Sequence, residues 1–406
     1  MRRLKITLGL LVIATGLGFS YLQMQAGFRL FNPPAVQSPI AAGAFPSLTS
    51  AEEVDDKNTS GKNAIRVALL LDTSGSMQGL IAQAKSQLWN ILNELTRTEK
   101  NGEEPLLEIA LYEYGNPRKG GRNQINKLSG FTTDMDLISS QLFSLTTNGG
   151  EEYCGQILQT ALTELDWGNN PDDLKIIYIA GNEPFTQGPV GYDVACRQAV
   201  ENDVIVNTIF CGNYQEGVNT YWRAGAVDAK GTYTNIDHNQ ETAYIQTPYD
   251  EKINELNTQL NATYIPYGKD GHLKLQNQSM QDANGKLQST ANLTNRTVFK
   301  SSKAYKNTSW DLADAYQEDK SILNRADFLP DTLQNLSVEE METAIQQVIQ
   351  ERETIQNEIR ELDKKRREFK KEKKKNTPKN GLEDSMLKSI KKQAKEKGFK
   401  EKNEGP

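Results

Sequence analysis

Three oxygen-bearing side chains, Asp72, Ser74 and Ser76, alternate along the stretch Asp72-Thr73-Ser74-Gly75-Ser76-Met77. At i, i+2 and i+4 in a tight turn, one carboxylate and two hydroxyls can converge on a point. Oxygen-only donors suit a hard divalent cation, Mg²⁺ or else Ca²⁺ or Mn²⁺. The same residues also make an ordinary polar turn with a helix N-cap, which Ser and Asp favour. The flanks show what must position them. Ile65 to Leu71 is an apolar run rich in Val, Ile and Leu, and Leu80 to Leu95 has apolar residues at helical spacing. Strand, polar turn and helix in that order open a parallel α/β sheet. The turn then lies at the carboxyl edge of the sheet, where α/β proteins bind ligands.

Asp-x-Ser-Gly-Ser-Met after a buried strand resembles the metal-ion-dependent adhesion site of von Willebrand factor type A (VWA) domains. The resemblance implies that Asp72, Ser74 and Ser76 hold the cation, that later loops add two positions, and that a protein partner's carboxylate completes the shell. Gly149-Gly150-Glu151-Glu152 is similar to the second loop of that site, with Glu152 where the family places its coordinating Thr. Glu152 is then a carboxylate ligand, an internal mimic of the partner's acid, or an acid favoured by the dipole of the helix that follows. The third loop follows the most apolar run, Leu174 to Ala180. The family's Asp there is replaced by Gly181, which leaves Asn182 or Glu183 to reach in. The metal-ligand set expected from the resemblance is Asp72, Ser74, Ser76, Glu152 and Glu183.

The likeness spans about Ala64 to Asp237. Its further strands are Leu106 to Tyr114, Ile125 to Leu128 as an edge, Val204 to Phe210, and Gly231 to Ile236. Helices are expected at Met135 to Leu145, Ile157 to Leu165, Tyr192 to Asn202 and Asn219 to Ala226. Alternating strands and helices give a doubly wound, mostly parallel α/β sheet, VWA- or Rossmann-like.

Other chemistries fail on residue type. The turn is similar to the Asp-x-Asp-Gly-Thr of phosphatases, but Ser replaces the second acid, so the general acid/base is absent. A serine-hydrolase elbow needs Gly-x-Ser-x-Gly. Two histidines and scattered cysteines give no zinc pattern. The glycine- and arginine-rich loop Asn116 to Arg122 lacks the order of a P-loop and reads as an exposed turn. A net charge of −6 gives no support for nucleic acid as a partner. Cys154, Cys196 and Cys211 suggest one disulfide and one leftover thiol in an exported chain. The expectation is a binding protein, not an enzyme.

Export is read from the N-terminus. Met1 to Lys5 is basic and Ile6 to Phe19 largely apolar, so residues 1–26 read as a signal peptide or signal anchor. Retained, they would tether the body outside the inner membrane, in the periplasm, through the flexible linker 27–63. Residues 238–335 read as a helical and irregular surface extension, with Asn261 to Gly268 turning back onto the sheet and Trp310 docking it. Residues 336–375 form a long charged helix. Its stripe Val338, Met341, Ile345, Val348, Arg352, Ile355, Ile359, Leu362, Arg366 and Phe369 suits a coiled coil, with self-association, or a helix packed on its own domain. Residues 376–406 are a basic tail with a short helix. The alternative function is a metal-independent structural or assembly module acting through that coiled coil.

Overall fold

The computed structural model describes residues 62–117, 124–236, 244–325, 329–373 and 382–402. The segments read as signal and linker lie outside them. Among the described residues no helix is long and apolar enough to cross a membrane. The chain divides into two compact units interleaved in sequence. One comprises described residues 62–254, 277–306 and 359–402, the other 255–276, 307–325 and 329–358.

The first unit is built on a six-stranded sheet. Its strands are β1 (Ala64–Asp72), β3 (Leu106–Tyr114), β4 (Ile125–Thr132), β5 (Leu174–Gly181), β6 (Ile205–Cys211) and β7 (Tyr233–Ile236). They lie in the order β4-β3-β1-β5-β6-β7, with β2 (Thr98–Glu99) in a separate ribbon. All neighbours are parallel except β3 and β4. Strand β5 is buried along its whole length, as its near-continuous apolar sequence requires of a strand covered on both faces. The helices beside the sheet are α1 (Gln78–Thr96), α2 (Met135–Ser144), α3 (Cys154–Glu164), α4 (Tyr192–Glu201), α5 (Tyr214–Asn219) and α6 (Trp222–Asp228). The single helix expected over Asn219 to Ala226 is thus two. The chain breaks at Tyr221, whose backbone is left-handed at φ 71°.

Six further α-helices follow among the described residues: α7 (Asp250–Asn261), α8 (Gly271–Gln288), α9 (Thr290–Lys300), α10 (Leu312–Glu318), α11 (Val338–Lys373) and α12 (Leu382–Glu396). Their placement corrects several sequence expectations. Helix α9 is no surface extension, because every residue from Ala291 to Lys300 is buried. Its polar residues find partners in α1: Asn295 carbonyl accepts from Asn93 Nδ2 at 2.7 Å, and Asn292 Nδ2 donates to Ser86 carbonyl at 2.9 Å. Arg296 is fully buried, bridging Asp136 and Asp282 at 2.6 Å each and stacking over Trp89 at 4.7 Å. Burying a guanidinium is tolerable only when it is paired and hydrogen-bonded in this way.

The C-terminal tail belongs to the sheet unit as well. Helix α12 lies along α1 and reaches the sheet, where Tyr178 Oη meets Ser389 Oγ at 2.6 Å. Asn207 and Gln393 exchange two hydrogen bonds of 3.0 and 2.8 Å. Beyond it, β8 (Lys400–Glu401) pairs with β2. Among the described residues of this tail, Lys391 meets Glu94 at 2.7 Å and Lys397 meets Asp203 at 2.6 Å.

In the second unit, Ile265, Leu312, Tyr316, Leu333, Met341, Ile345 and Val348 share one apolar core. The segment Asn261 to Gly268 pairs there with Trp310 to Leu312, through Leu312 N–H to Ile265 carbonyl at 2.9 Å, instead of returning to the sheet. Trp310 stacks on Tyr264 with centroids 5.7 Å apart. From Met341 to Ile359 the α11 stripe offered to a coiled coil is buried within the chain, while Val338 at its start is exposed. Its two arginines are matched to buried acids, Arg352 to Asp311 and, in the sheet unit, Arg366 to Asp250, both at 2.6 Å. The helix packed on its own chain is the arrangement found.

Candidate metal edge

Asp72 is the last residue of β1, at the centre of the sheet, in register with Tyr114 at the end of β3. The turn after it is held from two sides. Thr73 N–H donates to Tyr114 carbonyl and Thr73 carbonyl accepts from Asn148 N–H, both at 2.9 Å. Asp72 Oδ1 accepts from Ser74 N–H at 2.7 Å. Met77 is fully buried and anchors the start of α1, which leaves Gly75 and Ser76 exposed at the rim.

The loop before α3 brings Glu152 into the same place. Asp72 Oδ1 and Glu152 Cγ both flank Gly115, where an added β-carbon would stand 3.0 Å from the first and 2.9 Å from the second. Glycine at position 115, with φ 75°, is what allows two acidic side chains to approach here. On the third side the β5 loop is tied to the first, since Asn182 Nδ2 donates to Ser76 Oγ at 3.1 Å. Glu183 follows, half-buried, its carbonyl accepting from Trp222 Nε1 at 2.8 Å.

Burial pushes the Asp72 carboxyl up to about 7, against the hydrogen bonds from Ser74 and with the charge of Glu183 adding to the rise. Burial, then the charges of Asp72 and Glu183, raises Glu152 likewise to about 7. Like charges in a low-dielectric pocket disfavour ionisation of each. No hydrogen bond of good geometry reaches the buried Asp72 Oδ2 or Ser74 Oγ from the described residues, although Ser74 stands close enough to Asp72 and Glu152 to favour their ionised forms. Buried oxygens without well-formed hydrogen bonds, beside crowded carboxylates, are the donor set a hard cation would satisfy, so these residues fit a divalent metal. Among the described residues, no three His, Cys, Asp or Glu side chains close on one ligand point. The donors brought together are Asp72, Ser74 and Glu152, with Ser76 at the rim and Glu183 within electrostatic reach.

Sequence reasoning missed Tyr114. Its hydroxyl donates to Ala180 carbonyl at 3.0 Å and lies beside Cys154 Sγ at 3.9 Å. It fills the space in front of Gly181, and the signal that could have revealed it is the pairing of Asp72 with the aromatic end of the next strand. The expected disulfide is also absent: Cys154, Cys196 and Cys211 are all free and buried. Cys196 donates to Gly225 carbonyl at 3.3 Å.

No protein-family profile and no curated protein matches the chain. Several solved structures do. The conserved hypothetical protein BatB from Bacteroides thetaiotaomicron is similar over 43% of this chain and 91% of its own, at 15% identity and a TM-score of 0.33. The SpRpn10 VWA domain is similar over 43% of this chain and 88% of its own, at 18% identity and a TM-score of 0.32. Proximal thread matrix protein 1 from the mussel byssus, with a zinc-occupied MIDAS motif, is similar over 43% and 42%, at 15% identity and a TM-score of 0.32. The chain's own features are a central β1 ending in Asp72-x-Ser74-x-Ser76, the order β4-β3-β1-β5-β6-β7 and one antiparallel edge strand. With these, residues 64–236 form a doubly wound, mostly parallel α/β sheet of the VWA- or Rossmann-like kind.

Proposed function

We propose that this chain is a non-enzymatic binding protein that recognises a protein partner at a divalent-cation site on the carboxyl edge of its type A sheet. Asp72, Ser74 and Glu152 would hold Mg²⁺, with Ca²⁺ or Mn²⁺ as alternatives. Ser76 closes the rim and Glu183 adds negative charge. The cation would neutralise the crowded carboxylates and offer a coordination position to a carboxylate of the partner. The observation that carries this reading is the pair of buried oxygens without a well-formed hydrogen bond, Asp72 Oδ2 and Ser74 Oγ. Leaving such groups unpaired costs about 1–3 kcal/mol each, more when charged. The basic and apolar N-terminus supports export and tethering outside the inner membrane, with the type A unit in the periplasm.

The test is calorimetric titration of Mg²⁺, Mn²⁺ and Ca²⁺ into the full chain, beside Asp72→Ala and Glu152→Ala. Binding by the unaltered chain that is lost in both variants is expected. No binding by the unaltered chain would overturn the reading.

A further inference from the structure

Beside the metal edge, helices α4 and α6 carry an unusual concentration of exposed apolar surface. Seven large hydrophobic residues are exposed among the described residues, and four of them, Val194, Tyr214, Tyr221 and Val227, fall between α4 and α6. The two helices meet closely, since Cys196 on α4 donates to the carbonyl of Gly225 on α6. At the end nearer the metal edge the rings of Tyr192 and Tyr221 stand 5.9 Å apart, inclined at 43°. Tyr192 in turn rests on Phe185, at 5.6 Å. Phe185 and Trp222, 4.8 Å apart, form the buried floor beneath the Glu183 loop.

Two acids act on Tyr192. Burial, then the charges of Asp228 and Asp193, raises the Tyr192 phenol's pKa. Arg197 faces Asp193 only loosely, at 3.7 Å with both side chains exposed, so that pair contributes little and yields readily to a competing cation. Among the described residues no cation of this chain stands over either ring. Tyr221 holds its left-handed backbone while half its surface is exposed. The turn it makes sets Thr220 carbonyl to accept from Phe185 N–H at 2.9 Å.

We infer that the Tyr192–Tyr221 face, flanked by Asp193 and Asp228, is a docking surface for an arginine- or lysine-bearing segment of a protein partner. Two inclined aromatic faces attract a cation through their quadrupoles, and the two carboxylates add long-range attraction. This surface adds a second contact to the interaction role proposed above and needs no cation at the metal edge.

The probe is a hexa-arginine peptide titrated into the full chain in the presence of a chelator, with hexaglutamate as control. Tyr221→Asn removes the ring but keeps a residue that tolerates a left-handed backbone. Tyr221→Phe keeps the ring. The surface predicts binding of hexa-arginine alone, weakened three- to fivefold by Tyr221→Asn and by Asp228→Asn, and within twofold of unaltered in Tyr221→Phe. Absence of hexa-arginine binding would overturn the inference. So would binding unaffected by Tyr221→Asn and Asp228→Asn but lost in Glu183→Gln, because the peptide would then be held by the charge of the metal edge. Failure of metal binding leaves this result untouched, since the chelator removes metal from every arm.

Discussion

Tyr114 occupies the space that an acidic side chain at position 181 would need. A β-carbon on Gly181 would come within 2.5 Å of the tyrosine hydroxyl and 3.1 Å of Asp72 Oδ2. The acid that the type A resemblance expects after β5 is therefore excluded by a ring from β3. Gly181→Asp should destabilise the chain by roughly 2–4 kcal/mol through overpacking and an added buried charge. The double variant with Tyr114→Phe, which removes the clashing oxygen, should recover part of that loss. Urea denaturation of the two variants checks this, and equal stability of both would show that the hydroxyl is not the obstacle.

The metal edge sets a pH dependence. Asp72 and Glu152 are each pushed up to about 7, above the ordinary carboxylate range near 4. A carboxyl raised by folding stabilises the fold while protonated. That contribution is whole below about pH 4 and is lost as pH rises through about 7. Metal-free protein should therefore lose stability between about pH 4 and 7 and level off above, and added Mg²⁺ should restore it. Binding must displace protons, so affinity should climb up to about tenfold per pH unit below 7 for each proton displaced, then level off. Calorimetry in buffers of different ionisation heat counts the protons released, and an affinity flat from pH 5.5 to 7.5 would contradict the assignment.

The buried guanidinium of α9 carries a stability prediction. Arg296 joins Asp136 and Asp282, and Tyr305 donates to Asp136 at 2.6 Å. Arg296→Met leaves both acids buried with one partner fewer and should cost about 3–5 kcal/mol. Lys300 bonds Asp282 from within the same buried cluster, where burial pulls its ammonium down to about 8. A thermal melt of Arg296→Met within a degree of the unaltered chain would show the network to be dispensable.

The cysteines predict a redox-indifferent fold. Burial raises all three thiols, Cys196 to about 12 and the others further. A thiol reagent at pH 8 should titrate none of them on the minutes scale in the native protein and all three in denaturant. A reducing agent should leave the melting temperature unchanged.

The sheet was legible because its strands are written as apolar runs of the right length and its turns as polar punctuation. Asp72 and Ser74 could be placed at one edge because they close and follow such a run, and Glu152 because its loop resembles the second loop of the type A site. What local pattern could not show was long-range partnership. Helix α9 reads as polar surface, since Asn292, Asn295 and Arg296 are buried only by virtue of partners on α1, α2 and α8. The stripe of α11 was visible at the right spacing. Its partner was not, because apolar periodicity states that a face is covered without saying by what. Tyr114 was hidden for a similar reason, as only the register between β1 and β3 brings it beside Asp72.

Helix α12 has a consequence for the order of synthesis. About 160 residues separate the last sheet strand, ending at Ile236, from the end of the helix that covers Tyr178 and Asn207. At ribosomal rates of about 5–20 residues per second, that interval is roughly ten to thirty seconds. For that time the nascent sheet has a face of Val67, Leu69, Tyr178 and Ile209 without its C-terminal cover. A premature stop anywhere upstream of residue 382 would make the exposure permanent. The integrity of the far end of the chain is thus reported at the heart of the sheet, where a holding chaperone or a protease could read it.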